Sequence, residues 1–249
     1  MSVKLAAAVA AVAGLGLASA AQAALLTYDV RVATAGNSAG VVRLGPKAAT
    51  VSAVGDVVTL ELYGILDDGN LDGVTTNDGI SAAGGSFKSA VGGLLGNMGN
   101  GDVEDVFHGT GFSNGLAQNL DADTDLDLGS NNTAADANFY SARTTNGSSP
   151  VQGTSLLLGT ATFTVGSLDA AGTTINFVPA ALTGGTVASR NFHIFTIDGT
   201  AFTRTGAGAT ASDVGSGTNV VISAVPEPTT LGLAAVAGLG LLARRRRGA

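Results

Sequence analysis

The sequence contains no cysteine, no tryptophan and only two histidines in 249 residues. Without cysteine the chain forms no disulfide, no thiolate-bound zinc or iron–sulfur site and no thiol nucleophile, so its core alone must hold the fold. Aromatic residues make up 5% of the chain, which leaves few flat side chains on which a sugar ring could stack. A G-x-S-x-G nucleophile elbow is also absent. We therefore expect that the protein is not an enzyme.

Basic residues are scarce as well, and five of the twelve lie near the two ends of the chain. The segment between the ends consequently carries a net charge of about −11. A surface of this sign repels nucleic acid and anionic membranes, and it favours solubility and contact with cations. We expect no nucleic-acid partner.

The N-terminal residues have the three parts of an export signal. Met1–Lys4 carries a positive charge, Leu5–Ala18 is apolar, and Ala21-Gln22-Ala23 provides small residues for cleavage before Ala24. This order predicts a signal peptide over residues 1–23, helical until the secretion machinery removes it. A permanent N-terminal anchor is the alternative, for which the apolar run is short.

The C-terminal residues also form three parts in a fixed order. The sequence Val225-Pro226-Glu227-Pro228 is followed by an apolar run over residues 229–243 and then by the cluster Arg244, Arg245, Arg246 and Arg247. The run is shorter than the roughly 20 residues of a stable transmembrane helix, and the arginines would keep its end on the cytoplasmic side. We predict a short transmembrane helix that holds the preceding chain outside the cytoplasm.

This order resembles the PEP-CTERM sorting signal of Gram-negative bacteria over residues 225–249. The resemblance implies that the tail is recognised and processed by an exosortase, a membrane-embedded enzyme. It also implies an exported protein of the cell surface or extracellular matrix, anchored in the membrane before processing. Proteins with this signal are associated with extracellular polysaccharide and biofilm.

The remaining residues, 24–224, predict one domain made of short strands. Apolar and polar residues alternate in Leu26–Val32 and Val57–Ile65, and Phe192–Ile197 runs into the hairpin turn Asp198-Gly199. The acidic, glycine-rich stretch 96–143 predicts largely irregular structure. Because no amphipathic helix of 12 or more residues occurs between the ends, we predict an all-β fold, an antiparallel β-sandwich or jelly roll.

The alternation also predicts which side chains are buried. Leu157, Ala161, Phe163 and Val165 should share one face of a strand. His193 lies out of phase with its apolar neighbours, and we expect it to be half-exposed. The candidates for exposed aromatic side chains are Tyr28, Tyr63, Phe112, Phe139 and Tyr140.

Two segments of the body are similar to strands of cohesin-like and related carbohydrate-binding β-sandwiches. They are Gly159–Val165 together with Thr173–Phe177, and Val54–Leu62. The resemblance implies the same sandwich architecture.

The first candidate metal site is the sequence Asp68-Gly-Asn70-Leu-Asp72-Gly73. It matches the front half of a calcium loop, in which alternate side chains converge on one ion. The glutamate expected at the end of such a loop is missing, and Asp78 is the available substitute. The site is therefore either a calcium loop with Asp68, Asn70, Asp72 and Asp78 as ligands or a solvated acidic turn.

The second candidate is the alternating series Asp121, Asp123, Asp125 and Asp127. On an extended strand all four carboxylates would line one face, whereas in a curled loop the first three could bind Ca²⁺. Leu126 stands where a calcium loop has its turn glycine, so a solvated acidic edge is the competing interpretation. Ca²⁺ is the only cofactor that the sequence suggests.

Three functions remain open from the sequence alone. The first is a structural or adhesive protein in an extracellular polysaccharide layer. The second is a calcium-dependent module that binds carbohydrate or protein, and the third is an enzyme acting on glycosides through paired acids.

Overall fold

The computed structural model describes residues 25–66, 72–90, 92–130, 138–145, 148–180, 193–204 and 214–225. The regular structure in these ranges is β-strand apart from two 3-10 turns, Thr75–Asn77 and Asp105–Phe107. The predicted all-β fold is therefore confirmed. The predicted signal helix over residues 1–23 and the predicted transmembrane helix over 229–243 lie outside the described residues. Within the described ranges no helix is long and apolar enough to cross a membrane.

The strands in the described ranges are numbered in chain order. They are β1 (Leu26–Val32), β2 (Val42–Gly45), β3 (Ala48–Val51), β4 (Val57–Leu66), β5 (Gly79–Ser89), β6 (Gly96–Val103), β7 (Ser113–Asn114), β8 (Ala117–Gln118), β9 (Asp127–Leu128), β10 (Tyr140–Arg143), β11 (Val151–Gln152), β12 (Ser155–Val165), β13 (Thr173–Pro179), β14 (His193–Ile197), β15 (Thr200–Arg204), β16 (Val214–Ser216) and β17 (Val220–Ala224).

The strands form two sheets around a shared core. The first sheet has the order β16-β1-β4-β12-β6, and its pairs are antiparallel except for β1 with β16. The second sheet follows the order β15-β14-β5-β13-β17-β3-β2, with β17 and β3 parallel. Buried side chains of both sheets belong to one hydrophobic cluster, as expected for a sandwich.

Strand β5 is the spine of the second sheet. One edge of β5 pairs with β14 and, farther along, with β13. The opposite edge pairs with β11, β10 and β9. Its middle residues are small, and a Cβ atom on Gly85 would overlap the carbonyl oxygen of Val178. Small residues at this position therefore let β13 approach closely.

The alternation in the sequence gives the correct buried face for most long strands. Val58, Leu60 and Leu62 of β4 are buried, as predicted from their spacing. In β12 the prediction for Leu157 is wrong, because a bulge shifts the register between Leu157 and Gly159. Leu158 is the buried leucine instead, and Gly159 adopts a φ of 150° that favours glycine.

The prediction of mostly irregular structure over residues 96–143 is wrong in part. This stretch contains β6, an eight-residue strand of the first sheet, and β10, which pairs with β5. Strand β6 is rich in glycine because its neighbours come close: a Cβ atom on Gly96 would overlap the ring of Phe163, and one on Gly101 would overlap a backbone oxygen. The sequence of β6 therefore lacks the alternation of apolar and polar residues, because glycine stands at these positions in place of apolar side chains.

A buried hydrogen-bond chain joins the two sheets. Tyr28 of β1 accepts a hydrogen bond from the Gly84 N–H (3.1 Å), and its hydroxyl lies 2.7 Å from His193 Nδ1. His193 Nε2 lies 3.0 Å from the carbonyl oxygen of Ala180, so Nε2 carries the proton and Nδ1 accepts from Tyr28. The chain thus fixes His193 as a neutral side chain with both ring nitrogens engaged.

Two predictions of exposure are corrected by this chain. His193 is fully buried because His193, Phe195 and Ile197 form the inward face of β14. Tyr28 is also fully buried, packed against Phe177 with ring centroids 4.9 Å apart. Among the other candidate aromatics, Phe139 and Tyr140 are buried, whereas Phe112 is exposed and Tyr63 is half-buried.

The hairpin predicted at Asp198-Gly199 is confirmed. Both residues have positive φ, 47° and 73°, as a type I′ turn requires. This turn joins β14 to β15 with Ile197 opposite Thr200.

The burial of His193 predicts a pH dependence of stability. Burial lowers the pKa of His193 to about 4, below the value of about 6.5 in an unfolded chain. The unfolded state therefore binds the extra proton, so this contribution to stability is complete above pH 6.5 and is lost as the pH falls toward 4. Between pH 7 and pH 4.5, urea unfolding should show wild type losing about 2–3 kcal/mol more than His193→Gln.

The matched control for this measurement is Tyr28→Phe. It leaves the Gly84 N–H without its acceptor and should cost about 1–3 kcal/mol at pH 7. It keeps a buried His193, so the pH dependence of wild type should remain. Equal losses in wild type and His193→Gln would contradict a neutral buried histidine.

Candidate metal centre and sorting motif

The loop before β9 is curled by its own polar side chains. Asn119 Oδ1 accepts a hydrogen bond from the Ala122 N–H (2.7 Å), and Asn119 Nδ2 donates to the Asp123 carbonyl oxygen. Asp123 Oδ1 accepts from the Asp125 N–H (3.0 Å). Ala122 has a φ of 65°, so the turn forms there without a glycine. Of the two geometries left open by the sequence, the structure contains the curled loop.

The curl brings three of the predicted ligands together. Asp121, Asp123 and Asp125 each offer a carboxylate oxygen, and these oxygens all lie within 4.8 Å of one another. Calcium–oxygen distances are about 2.3–2.6 Å, so oxygens on opposite sides of one ion are separated by about 4.6–5.2 Å. The three carboxylates are therefore close enough together to bind one calcium ion.

Asp125 and Asp127 form the buried base of this cluster. Their side chains are 2% and 0% exposed. Ser89, the last residue of β5, donates its N–H to Asp127 Oδ1 (2.9 Å), and its hydroxyl lies 3.0 Å from Asp125 Oδ2. The cluster is therefore attached directly to the spine strand of the second sheet.

One oxygen of each carboxylate in this group is buried without a hydrogen-bond partner. These atoms are Asp121 Oδ1, Asp123 Oδ2, Asp125 Oδ1 and Asp127 Oδ2. A buried carboxylate oxygen without a partner is costly, and neighbouring negative charges add to that cost. Four such atoms in one loop are the signature of a group that needs a cation or protons.

The pKa values also show that burial and neighbouring carboxylates disfavour the charged forms of Asp125 and Asp127. Burial raises the pKa of Asp125 to about 7, and the carboxylates of Asp123 and Asp127 act in the same direction. Burial also raises the pKa of Asp127, against the opposing hydrogen bond from Ser89. The neighbouring Asp125 carboxyl lowers the pKa of Asp123, because a protonated Asp125 donates to it.

The first predicted loop is described only in part, because Asp68 and Asn70 lie outside the described residues. Asp72 is exposed, and its carboxylate accepts from the Val74 N–H (2.8 Å) and from Asn77 Nδ2 (2.7 Å). Asp78 is fully buried; its Oδ1 accepts from the Asp198 N–H (2.8 Å), while its Oδ2 has no partner. Calcium binding by this loop stays a prediction.

The sequence analysis did not predict the contact of Ser89 with the acidic cluster. It also did not predict that Asp127 is buried at the base of that cluster. Ser89 is remote in sequence from the acidic series, so no local pattern could identify it. Asp127 belongs to the period-two series, but its inward orientation depends on the pairing of β9 with β5 at Phe87 and Leu128. The absence of a turn glycine was misleading, because Asn119 and Ala122 supply the turn.

The other histidine does not join the acidic cluster. His108 Nε2 donates to the Val103 carbonyl oxygen at 2.7 Å, and its ring stacks on exposed Phe112 at a centroid distance of 4.3 Å. In the described ranges, the only group of three or more histidine, aspartate or glutamate side chains close enough together to bind one metal ion is Asp121, Asp123 and Asp125.

Comparison with known families identifies the C-terminal segment. Residues 224–247 match the PEP-CTERM protein-sorting motif. The chain carries a PEP-CTERM sorting motif. The match spans Val225, Pro226, Glu227, Pro228 and Arg244–Arg247, so the predicted resemblance to the PEP-CTERM sorting signal is confirmed. The motif indicates an exported protein that is sorted to the cell surface with an exosortase as its partner. No curated protein matches the chain.

The PEP-CTERM motif begins inside the folded body. Ala224, its first residue, is also the last residue of β17, which lies between β13 and β3. The next residue, Val225, donates its N–H to the Val51 carbonyl oxygen (2.8 Å) and is 41% exposed. Body and motif are thus continuous, with no linker between the last strand and Pro226.

The unpaired carboxylate oxygens predict an unusual effect of Asp125→Asn in metal-free protein. The amide keeps the shape of the side chain, removes one crowded charge and supplies a donor to Asp123. We expect the free energy of unfolding, measured in urea with a chelator, to rise by about 1–2 kcal/mol.

Asp105→Asn is the matched control, since the Asp105 side chain is fully exposed and the charge change is identical. It should alter stability by less than about 0.5 kcal/mol. A metal-free Asp125→Asn protein that is less stable than wild type would show that the carboxylates are not in conflict.

Proposed function

We propose that this protein is a non-catalytic structural or adhesive component of the cell surface, held in an extracellular polysaccharide or biofilm layer. The observation that carries the proposal is the junction at Ala224 and Val225. Because β17 runs directly into the PEP-CTERM motif, the sandwich would be displayed next to the point of processing. A body displayed in this way suits a role in which the folded domain itself is the functional surface.

The described titratable side chains support a non-catalytic role. His193 is buried with both ring nitrogens engaged, and the carboxylates of Asp121, Asp123 and Asp125 converge within 4.8 Å around buried oxygens. Glycosidases place their two carboxyl groups on either side of a substrate bond, about 5–9.5 Å apart. The convergent arrangement suits a cation better than a sugar ring.

A calcium-dependent module that binds carbohydrate or protein is the second candidate. The outward face of the first sheet favours it, because Arg31 lies 4.2 Å above the ring of half-buried Tyr63 and the Tyr63 hydroxyl donates to Glu61. An aromatic ring flanked by charged groups is a common element of sugar-binding faces.

A glycan array with the full chain, with calcium and with a chelator, distinguishes these functions. The structural role predicts no specific signal under either condition. Specific binding that requires calcium, and that weakens about tenfold or more in Tyr63→Ala, would favour the binding module. Release of shortened glycans would instead favour the glycoside-acting enzyme and would contradict the proposal.

Processing of the tail is tested on the surface-exposed protein by mass spectrometry. Wild type should end near Pro226, whereas a Pro226→Ala, Glu227→Ala variant should keep the mass of residues 229–249. Pro150→Ala, which changes a proline of the body, is the control and should be processed like wild type. A wild-type protein that retains Arg244–Arg247 at the surface would contradict removal of the tail.

A further inference from the structure

We propose that Asp121, Asp123 and Asp125 bind one calcium ion, with Asp127 as a fourth carboxylate at the base of the site. This inference does not depend on the proposed surface role. It rests on two independent observations: the convergence of three carboxylates within 4.8 Å, and the buried unpartnered oxygens of Asp125 and Asp127.

The chemistry of the donors selects a hard cation. All of the candidate ligands are carboxylate oxygens, with neither sulfur nor imidazole in the group, which suits Ca²⁺ or Mg²⁺ rather than zinc. Each ligand side chain also has an oxygen buried without a hydrogen bond, so binding would satisfy atoms that the fold leaves unpaired.

The ligand set favours calcium over magnesium. Mg²⁺ demands near-ideal octahedral geometry and loses its water reluctantly, so it is usually held by one or two carboxylates rather than by a cluster of protein carboxylates. Here three carboxylates of one loop converge, each with an oxygen within 4.8 Å of the others. Calcium also takes six to eight oxygens in flexible geometry, so bidentate carboxylates and water can complete its coordination.

The position of the loop couples the ion to both sheets. On one side, Ser89 of β5 contacts Asp125 and Asp127. On the other side, Asn97 Oδ1 of β6 accepts from the Leu126 N–H (3.0 Å), and the Met98 N–H donates to the Leu126 carbonyl oxygen (2.6 Å). Because β5 belongs to the second sheet and β6 to the first, calcium would stabilise the whole sandwich rather than one loop.

Calorimetry and thermal unfolding of the full chain test this site, with EDTA, with calcium and with the same concentration of magnesium. We expect one calcium ion at this site and, at a hundredfold excess over Kd, a roughly 100-fold shift of the folding equilibrium toward the native state. The unfolding midpoint should rise by about 5–10 °C. Magnesium should raise it by much less.

Asp123→Asn and Asp125→Asn should each weaken calcium binding about tenfold or more, while Asp105→Asn should bind like wild type. Asp123 is half-exposed, and its variant provides the test even where the buried Asp125 substitution impairs folding; far-ultraviolet circular dichroism checks that each variant is folded. Asp125→Asn should lose the calcium response and, without metal, be more stable than wild type. This combination would show that Asp125 binds the ion, because a residue with a purely structural role would make the metal-free protein less stable when it is changed.

Three results would overturn the assignment. The first is the absence of heat and of any shift in the midpoint with calcium. The second is unchanged calcium affinity in both variants, which would place the ion elsewhere, such as in the loop of Asp72 and Asp78. The third is magnesium binding as tight as calcium binding.

Discussion

The structure depends on the small residues in the middle of β5. Gly84 donates its N–H to the Tyr28 hydroxyl of the first sheet, and the missing side chain of Gly85 leaves room for β13 to pair closely. A bulkier residue at Gly85 would overlap the Val178 carbonyl oxygen and separate β13 from β5. The pairing of β5 with β13 also sets Phe87 opposite Phe177, and their rings pack edge-on with centroids 5.0 Å apart. The close contact between these two strands therefore depends on the missing side chain of Gly85.

The strands whose apolar and polar side chains alternate can be predicted from the sequence. A strand whose residues are determined by contacts with the backbone of other strands cannot. Leu26–Val32 and Val57–Leu66 were predictable because apolar residues fill every second position. Strand β6 was not, because glycine at Gly96 and Gly101 is required by atoms of distant strands. The error at His193 has a similar origin: a histidine on an inward face is stable only through Tyr28 and Ala180, which are 165 and 13 residues away in sequence.

The acidic site was predictable in composition but not in geometry. The period-two spacing of Asp121, Asp123 and Asp125 identified the group, yet the same spacing is compatible with an extended strand or a loop. Asn119 and the left-handed backbone of Ala122 decide between them, and neither is a strong signal in the sequence. Ser89 turns an exposed acidic loop into a half-buried cluster, and only the pairing of β9 with β5 brings it there.

Strand β17 lies in the core of the second sheet and directly adjoins the PEP-CTERM motif. Val220 and Ile222 belong to the hydrophobic core, and β17 pairs with β3, which lies about 170 residues earlier in the chain. The second sheet cannot close between β13 and β3 until residues 220–224 have joined it, and these residues directly precede the PEP-CTERM motif. Closing so long a loop is entropically costly and slow. Pairing of the residues that directly precede the motif is therefore expected to be a late step in folding of the second sheet.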